Sequence, residues 1–98
     1  MLHIINKSPL SSGTLESCLR MNAAGDILLT EDAVYAATKG NAFESKLREA
    51  MARCKVYVLQ PDLEARGLAD RLIEGVTSVD HGGFVDLTIS NNACQSWL

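Results

Sequence analysis

VYVLQPDLEARGL, residues 56–68, sets two patterns back to back. Val56–Leu59 is an unbroken apolar run with β-branched residues, as expected of a strand buried on both faces. Pro61 then opens a helical piece, QPDLEARGL, that Gly67 closes. Strand followed by helix is half of a βαβ unit, so the next question is whether the unit recurs. Leu2–Ile5, Ile27–Leu29 and Val76–Val79 are further short stretches rich in Ile, Val and Leu, read likewise as strands buried on both faces. Between the first two, Leu15, Cys18, Leu19 and Asn22 share one helical face, with Glu16, Ser17 and Arg20 turned away and Gly25 as a stop. Ala42–Cys54 repeats the theme with Phe43, Leu47, Ala50, Met51 and Cys54 in phase and Asn41 as the N-cap. Leu68–Glu74 adds a turn before Gly75. Strands alternating with helices, joined by right-handed crossovers, predict an α/β fold: a parallel sheet with helices on both sides.

The end of the chain is ambiguous by pattern. GGFVDLTISN alternates Val85, Leu87 and Ile89 with Asp86, Thr88 and Ser90 as a half-buried strand does, yet Phe84, Leu87 and Thr88 also fit a helix. The polar stretch SNNACQSWL follows.

A chain of 98 residues with 47% hydrophobic and 21% charged residues is one domain, 1–98, with enough apolar material for a core. Aromatics are only 5%, so that core is mainly aliphatic. The net charge of −3 and the scattered Lys and Arg argue against direct binding of nucleic acid. No secretory signal and no apolar run of bilayer length is visible, which points to a cytoplasmic protein without a membrane partner. Three cysteines, Cys18, Cys54 and Cys94, form no CxxC pair and suit neither a disulfide framework nor a four-ligand zinc site.

In open parallel sheets, sites lie beyond the carboxyl ends of the strands. Those ends carry Asn6-Lys7-Ser8-Pro9, Thr30-Glu31-Asp32, Gln60-Pro61-Asp62 and Asp80-His81-Gly82-Gly83. The acidic residues among them read first as helix caps. His81 is a turn residue or a general base, and the two glycines after it are a turn or an anion cradle. His3, inside a strand, reads as a hydrogen-bonded core histidine. No glycine-rich nucleotide signature follows the first strand. Cysteine is the strong nucleophile that remains. Cys18 lies beyond the first turn of its helix, on the face of Leu15 and Leu19, which favours a buried structural thiol. Cys54 reads as a packing residue and Cys94 as exposed.

The pieces LHIINKSP (2–9), LESCLR (15–20), GDILLTEDAVYAA (25–37), KVYVLQPDLEARGL (55–68), VDHGGFVDLT (79–88) and the terminal Trp97-Leu98 stand in an order that resembles the DsrH/TusB family over nearly the whole chain. The resemblance implies a DsrE-like, flavodoxin-like three-layer sandwich with a mostly parallel sheet flanked by helices, and a final helix over Phe84–Asn91. It implies two related subunits, of the DsrE/TusD and DsrF/TusC types, in a heterohexamer that passes persulfide sulfur between upstream and downstream carriers without metal or organic cofactor. The sulfur would end in 2-thiouridine at tRNA wobble positions, or in a sister complex serve sulfur oxidation. The family's established acceptor cysteine belongs to a partner subunit. LESCLR matches the place where many DsrH-like members carry their own, so Cys18 is the candidate catalytic residue as a secondary acceptor. The competing reading is a non-catalytic interface subunit in which Arg66 and Trp97 are contact residues.

Overall fold

The computed structural model describes residues 1–21, 25–91 and 93–97. Asn22 and Leu98, assigned above to a helix face and to the chain end, lie outside the described residues. The strands are β1 (Leu2–Ile5), β2 (Asp26–Leu29), β3 (Val56–Leu59), β4 (Thr77–Val79) and β5 (Cys94–Trp97), and the helices are α1 (Thr14–Met21), α2 (Glu44–Ala50), α3 (Gln60–Ala65) and α4 (His81–Ser90). Short 3₁₀ helices occupy Glu31–Ala37 and Ala69–Arg71. The sheet order is β4-β3-β2-β1-β5, and every pairing in it is parallel.

This order decides which face each helix covers. β1, β2, β3 and β4 step one way across the sheet, so right-handed crossovers put α1, α2 and α3 on one face. The return from β4 to β5 passes the three other strands in the opposite direction and puts α4 on the second face. The pleat agrees with this. Ile5, Ile27, Leu29, Val56 and Val58 join Leu15, Cys18, Leu47 and Leu63 in the main core, whereas Leu28, one residue out of phase, is equally buried but outside that cluster. The runs in β1, β2 and β3 are largely buried because both faces are covered, whereas β4 departs from the expectation for Val76–Val79: at the sheet edge its Thr77 and Ser78 are exposed and only Val79 is half-buried.

Several local expectations are corrected. Helical residues in the second helix are fewer than Ala42–Cys54, because Met51–Arg53 leave the helix as turns on the way to β3. Asn41 does not cap that helix. Its Oδ1 accepts from Phe43 N at 2.6 Å, its Nδ2 donates to Thr38 O, and the residue staples the preceding loop. The ambiguous segment is helical, and the stretch after it forms β5 beside β1 instead of a tail. α1 ends at Met21, and Gly25, expected as its stop, directly precedes β2, where its φ of +114° has a tertiary cause: a Cβ there would lie 2.4 Å from Met1 O. Asp26 N donates to that same carbonyl at 3.0 Å, so the close approach is part of the β1–β2 pairing.

Candidate functional site

The carboxyl edge of the sheet is a closed network of hydrogen bonds. Thr30, leaving β2, donates from its backbone N to Ile5 O at 2.9 Å and from Oγ1 to the same carbonyl at 3.3 Å. Glu31 has φ +50°, a left-handed conformation uncommon for a residue with a Cβ. The Asp62 carboxylate holds it there, accepting from Glu31 N at 2.7 Å. Arg66 completes the tie: Nε and Nη2 donate to Asp32 Oδ1 at 3.1 and 2.9 Å, and Nη1 donates to Asp62 O at 3.0 Å. Two of the acids expected as helix caps therefore fasten the first 3₁₀ helix to α3. Asp80 alone caps its own helix, accepting from Gly83 N at 2.8 Å. The N–H that an anion cradle would use is filled by that carboxylate, and His81 is an exposed residue in the first turn of α4. At the end of β1, Asn6 Oδ1 is buried without a hydrogen-bond partner among the described residues. Leu10, Tyr35, Lys39 and Arg71 line a groove of about 190 Å³ formed with the loop after β1.

The cysteines separate by depth. Cys18 is 0% exposed within the main core. Burial, with a smaller contribution from charge on Cys54, pushes its thiol up to about 11. At neutral pH it is a thiol, not the reactive thiolate. Cys54 is half-buried, its Sγ donating to Ala50 O at 3.3 Å, and burial raises its pKa as well, opposed by Arg53. Cys94 is exposed on the edge strand β5. None of the three lies in the carboxyl-edge network of Asp32, Asp62 and Arg66. His3 is the core histidine expected, 5% exposed, and its Nδ1 accepts from Trp97 Nε1 at 3.1 Å. That bond was illegible in the sequence, since it requires β5 to lie beside β1.

On its outer side α4 carries Val85 and Ile89, 52% and 76% exposed, while Phe84 and Leu87 are half-buried. The helix is thus apolar on both sides. Among the described residues no group of three or more His, Cys, Asp or Glu side chains is gathered as a metal site requires, and no helix is long and apolar enough to cross a membrane.

The fold and this geometry can be compared with known proteins. Over 98% of this chain and 97% of its own, the crystal structure of the ychN protein from E. coli superposes with a TM-score of 0.81 at 21% identity. A protein of unknown function from Methanobacterium thermoautotrophicum gives a TM-score of 0.68 at 17% identity, covering 97% of this chain and 95% of that one. Both establish the fold alone. In sequence, the chain is 39% identical over 98 residues to Protein TusB of Escherichia coli O81 (strain ED1a), covering 99% of this chain and all of that one. It is 37% identical, with the same coverage, to Protein TusB of Shigella flexneri. The model of the DsrH-like proteins matches residues 7–94. With the parallel sheet in this order, and with that match over most of its length, the chain belongs to the DsrH-like family.

Proposed function

We propose that this chain is a subunit of a cytoplasmic sulfur-relay complex, assembled with two related subunits of the DsrE/TusD and DsrF/TusC types, that passes persulfide sulfur toward 2-thiolation of wobble uridine in tRNA. The observation that carries the reading is family membership together with full-length similarity to TusB proteins. The two-sided apolar character of α4 supports an assembly role, because exposed Val85 and Ile89 lose water contact only against a partner. The acidic balance, −3 overall, suits a subunit whose tRNA is met by another component of the relay.

The transfer chemistry is attack of an acceptor thiolate on the outer sulfur of a donor Cys–S–SH, with the donor thiolate leaving. A second reading, a non-catalytic interface subunit, is favoured by one observation: Cys18 is fully buried and its thiol is held protonated. A bulky donor persulfide has no direct approach to it in this conformation.

Deleting the gene should lower 2-thiouridine at wobble positions, measured by nucleoside mass spectrometry, and co-expression with the two related subunits should yield one stable assembly containing all three. Unchanged thiolation with impaired oxidation of stored sulfur would move the protein to the sister branch. Elution of a lone monomer from the co-expression would overturn the subunit reading.

A further inference from the structure

The loop after β1, the two 3₁₀ helices and the segment before α2 meet in the groove lined by Leu10, Tyr35, Lys39, Leu68 and Arg71. Hydrogen bonds fix its walls. Thr38 and Leu72 form an antiparallel bridge, with Lys39 N donating to Arg71 O at 2.7 Å on one side and Ile73 N donating to Ala37 O at 2.8 Å on the other. Lys39 and Arg71 are therefore held opposite each other, and both line the groove. Thr38 Oγ1 donates to Tyr35 O at 2.7 Å, and Asn41 Nδ2 to Ala36 O at 3.3 Å, which ties the Tyr35 wall to the same segment. The groove is thus built before anything occupies it.

Its chemistry is of two kinds. Leu10 is 71% and Tyr35 37% exposed, and Leu68 lies almost wholly buried beside them. Arg20, Lys46, Arg48 and Arg66 are each ion-paired, whereas among the described residues Lys39 and Arg71 have no carboxylate within ion-pair distance. Glu44 feels the charge of Lys39, but its two oxygens accept from Gly40 N at 2.7 Å and Arg48 Nε at 2.8 Å. The Arg71 guanidinium makes one long contact, Nη2 to Lys39 O at 3.5 Å, which leaves most of its donors to solvent. A chain of net charge −3 therefore keeps two unspent cations beside two solvent-facing apolar side chains. Size then narrows the occupant. At about 190 Å³ the groove is smaller than the roughly 300–1,000 Å³ of sites that enclose a cofactor or drug-sized ligand, yet it has room for one large side chain. A free inorganic anion would leave the apolar walls in water. Tyrosine and arginine together are also the residue types most enriched where proteins meet.

We propose that this groove docks an acidic peptide segment of a partner protein, one apolar side chain seating against Leu10, Tyr35 and Leu68 while its flanking carboxylates pair with Lys39 and Arg71. The apolar contact supplies affinity by leaving water, and the two cations select the sign of the partner and make its capture sensitive to salt. The site is separate from the sulfur-relay reading and needs no cysteine.

The test titrates the full ¹⁵N-labelled chain with a short blocked peptide of glycines carrying one leucine between two glutamates, followed by amide chemical shifts. Saturable shifts are expected at the amides of Leu10, Tyr35, Lys39, Gly40 and Arg71, weakening as salt is raised. The double variant Lys39→Glu, Arg71→Glu should bind this peptide at least about tenfold more weakly and should gain binding of the peptide with lysines in place of the glutamates. Leu10→Ser should weaken binding without disturbing the fold, since that side chain is largely in solvent. Unchanged spectra away from the groove show that each variant is folded. The proposal is overturned if the groove amides do not shift at millimolar peptide, or if the lysine peptide shifts them equally in wild type. It is overturned too if inorganic phosphate reproduces the pattern, which marks a simple anion site, or if dilution of the protein alone does, which marks a second copy. Co-assembly and tRNA thiolation are measured separately, and neither is decided by these titrations.

Discussion

At the scale of single residues, burial decides more than identity. Cys18 stands in LESCLR, a stretch that reads as a sulfur site by resemblance and as a core position by spacing, and the structure puts its side chain wholly out of solvent. Its raised pKa has a consequence for stability. The folded thiol keeps its proton up to about 11, whereas the unfolded one ionises near 9, so the stabilisation is intact below pH 9 and is lost as pH rises toward 11. Wild type should lose roughly 2–3 kcal/mol across that window relative to Cys18→Ala, at 1.36 kcal/mol per pKa unit, measured as the difference between their urea midpoints. At neutral pH, Cys18→Ser should cost about 1–3 kcal/mol, because it sets a hydroxyl among apolar side chains. Trp97 offers a second case. Its Nε1–H donates to His3 Nδ1, so Trp97→Phe keeps the ring's packing but drops the bond, and should lower stability by about 1 kcal/mol in denaturant titration.

At the scale of elements, acids of similar sequence context do different work. Asp80 precedes α4 and accepts from Gly83 N, so Asp80→Ala should cost about 1 kcal/mol of thermal stability, while Asp80→Asn or Asp80→Ser retains most of it. Asp62 precedes Leu63 in α3 but serves another element, holding Glu31 N–H at a backbone conformation that a side chain disfavours. Removing the carboxylate releases that conformation. Asp62→Ala should therefore cost about 1–2 kcal/mol, and Glu31→Gly in the same chain should restore part of it by relieving the left-handed strain. A double-mutant cycle measures the coupling. Between α1 and α2, Lys46 and then Arg20 hold the Glu16 carboxyl below its ordinary range by hydrogen bonding and charge. That bridge is solvent-exposed, so its contribution is small, is screened by salt, and fades as pH falls through the carboxylate range.

At the scale of the whole molecule, the asymmetry of the two sheet faces is the main feature. Three helices and a 3₁₀ turn close one face into a dense aliphatic core, whereas α4 covers the other with no fully buried side chain of its own. A helix that leaves large apolar side chains such as Val85 and Ile89 in solvent offers them to a partner. Ile89→Lys should leave the isolated chain's circular dichroism and melting temperature nearly unchanged, since that side chain is 76% exposed, and should weaken co-purification with the two related subunits at least tenfold. A variant that assembles normally would remove α4 from the interface. Both edge strands are open: β5 exposes Cys94, Gln95 and Ser96 beside β1, and β4 exposes Thr77 and Ser78 beside β3.

What the sequence determined by itself was local and periodic. The runs of β1, β2 and β3, the helical faces after them and the stop at Gly67 were legible because they depend on residue type at fixed spacing, and Gly67 and Gly25 do take positive φ. Family resemblance settled α4, where the alternation of Val85, Leu87 and Ile89 fits a strand as well as a helix. The tertiary structure decided the rest. CQSW has no apolar run or alternation to mark it, and it is a strand only because β1 offers an open edge on which its backbone groups can pair. Asp62 and Arg66 sit where capping rules place helix ends, yet they also bond Glu31 and Asp32 in the first 3₁₀ helix, and no spacing rule reports a contact across 31 or 34 residues.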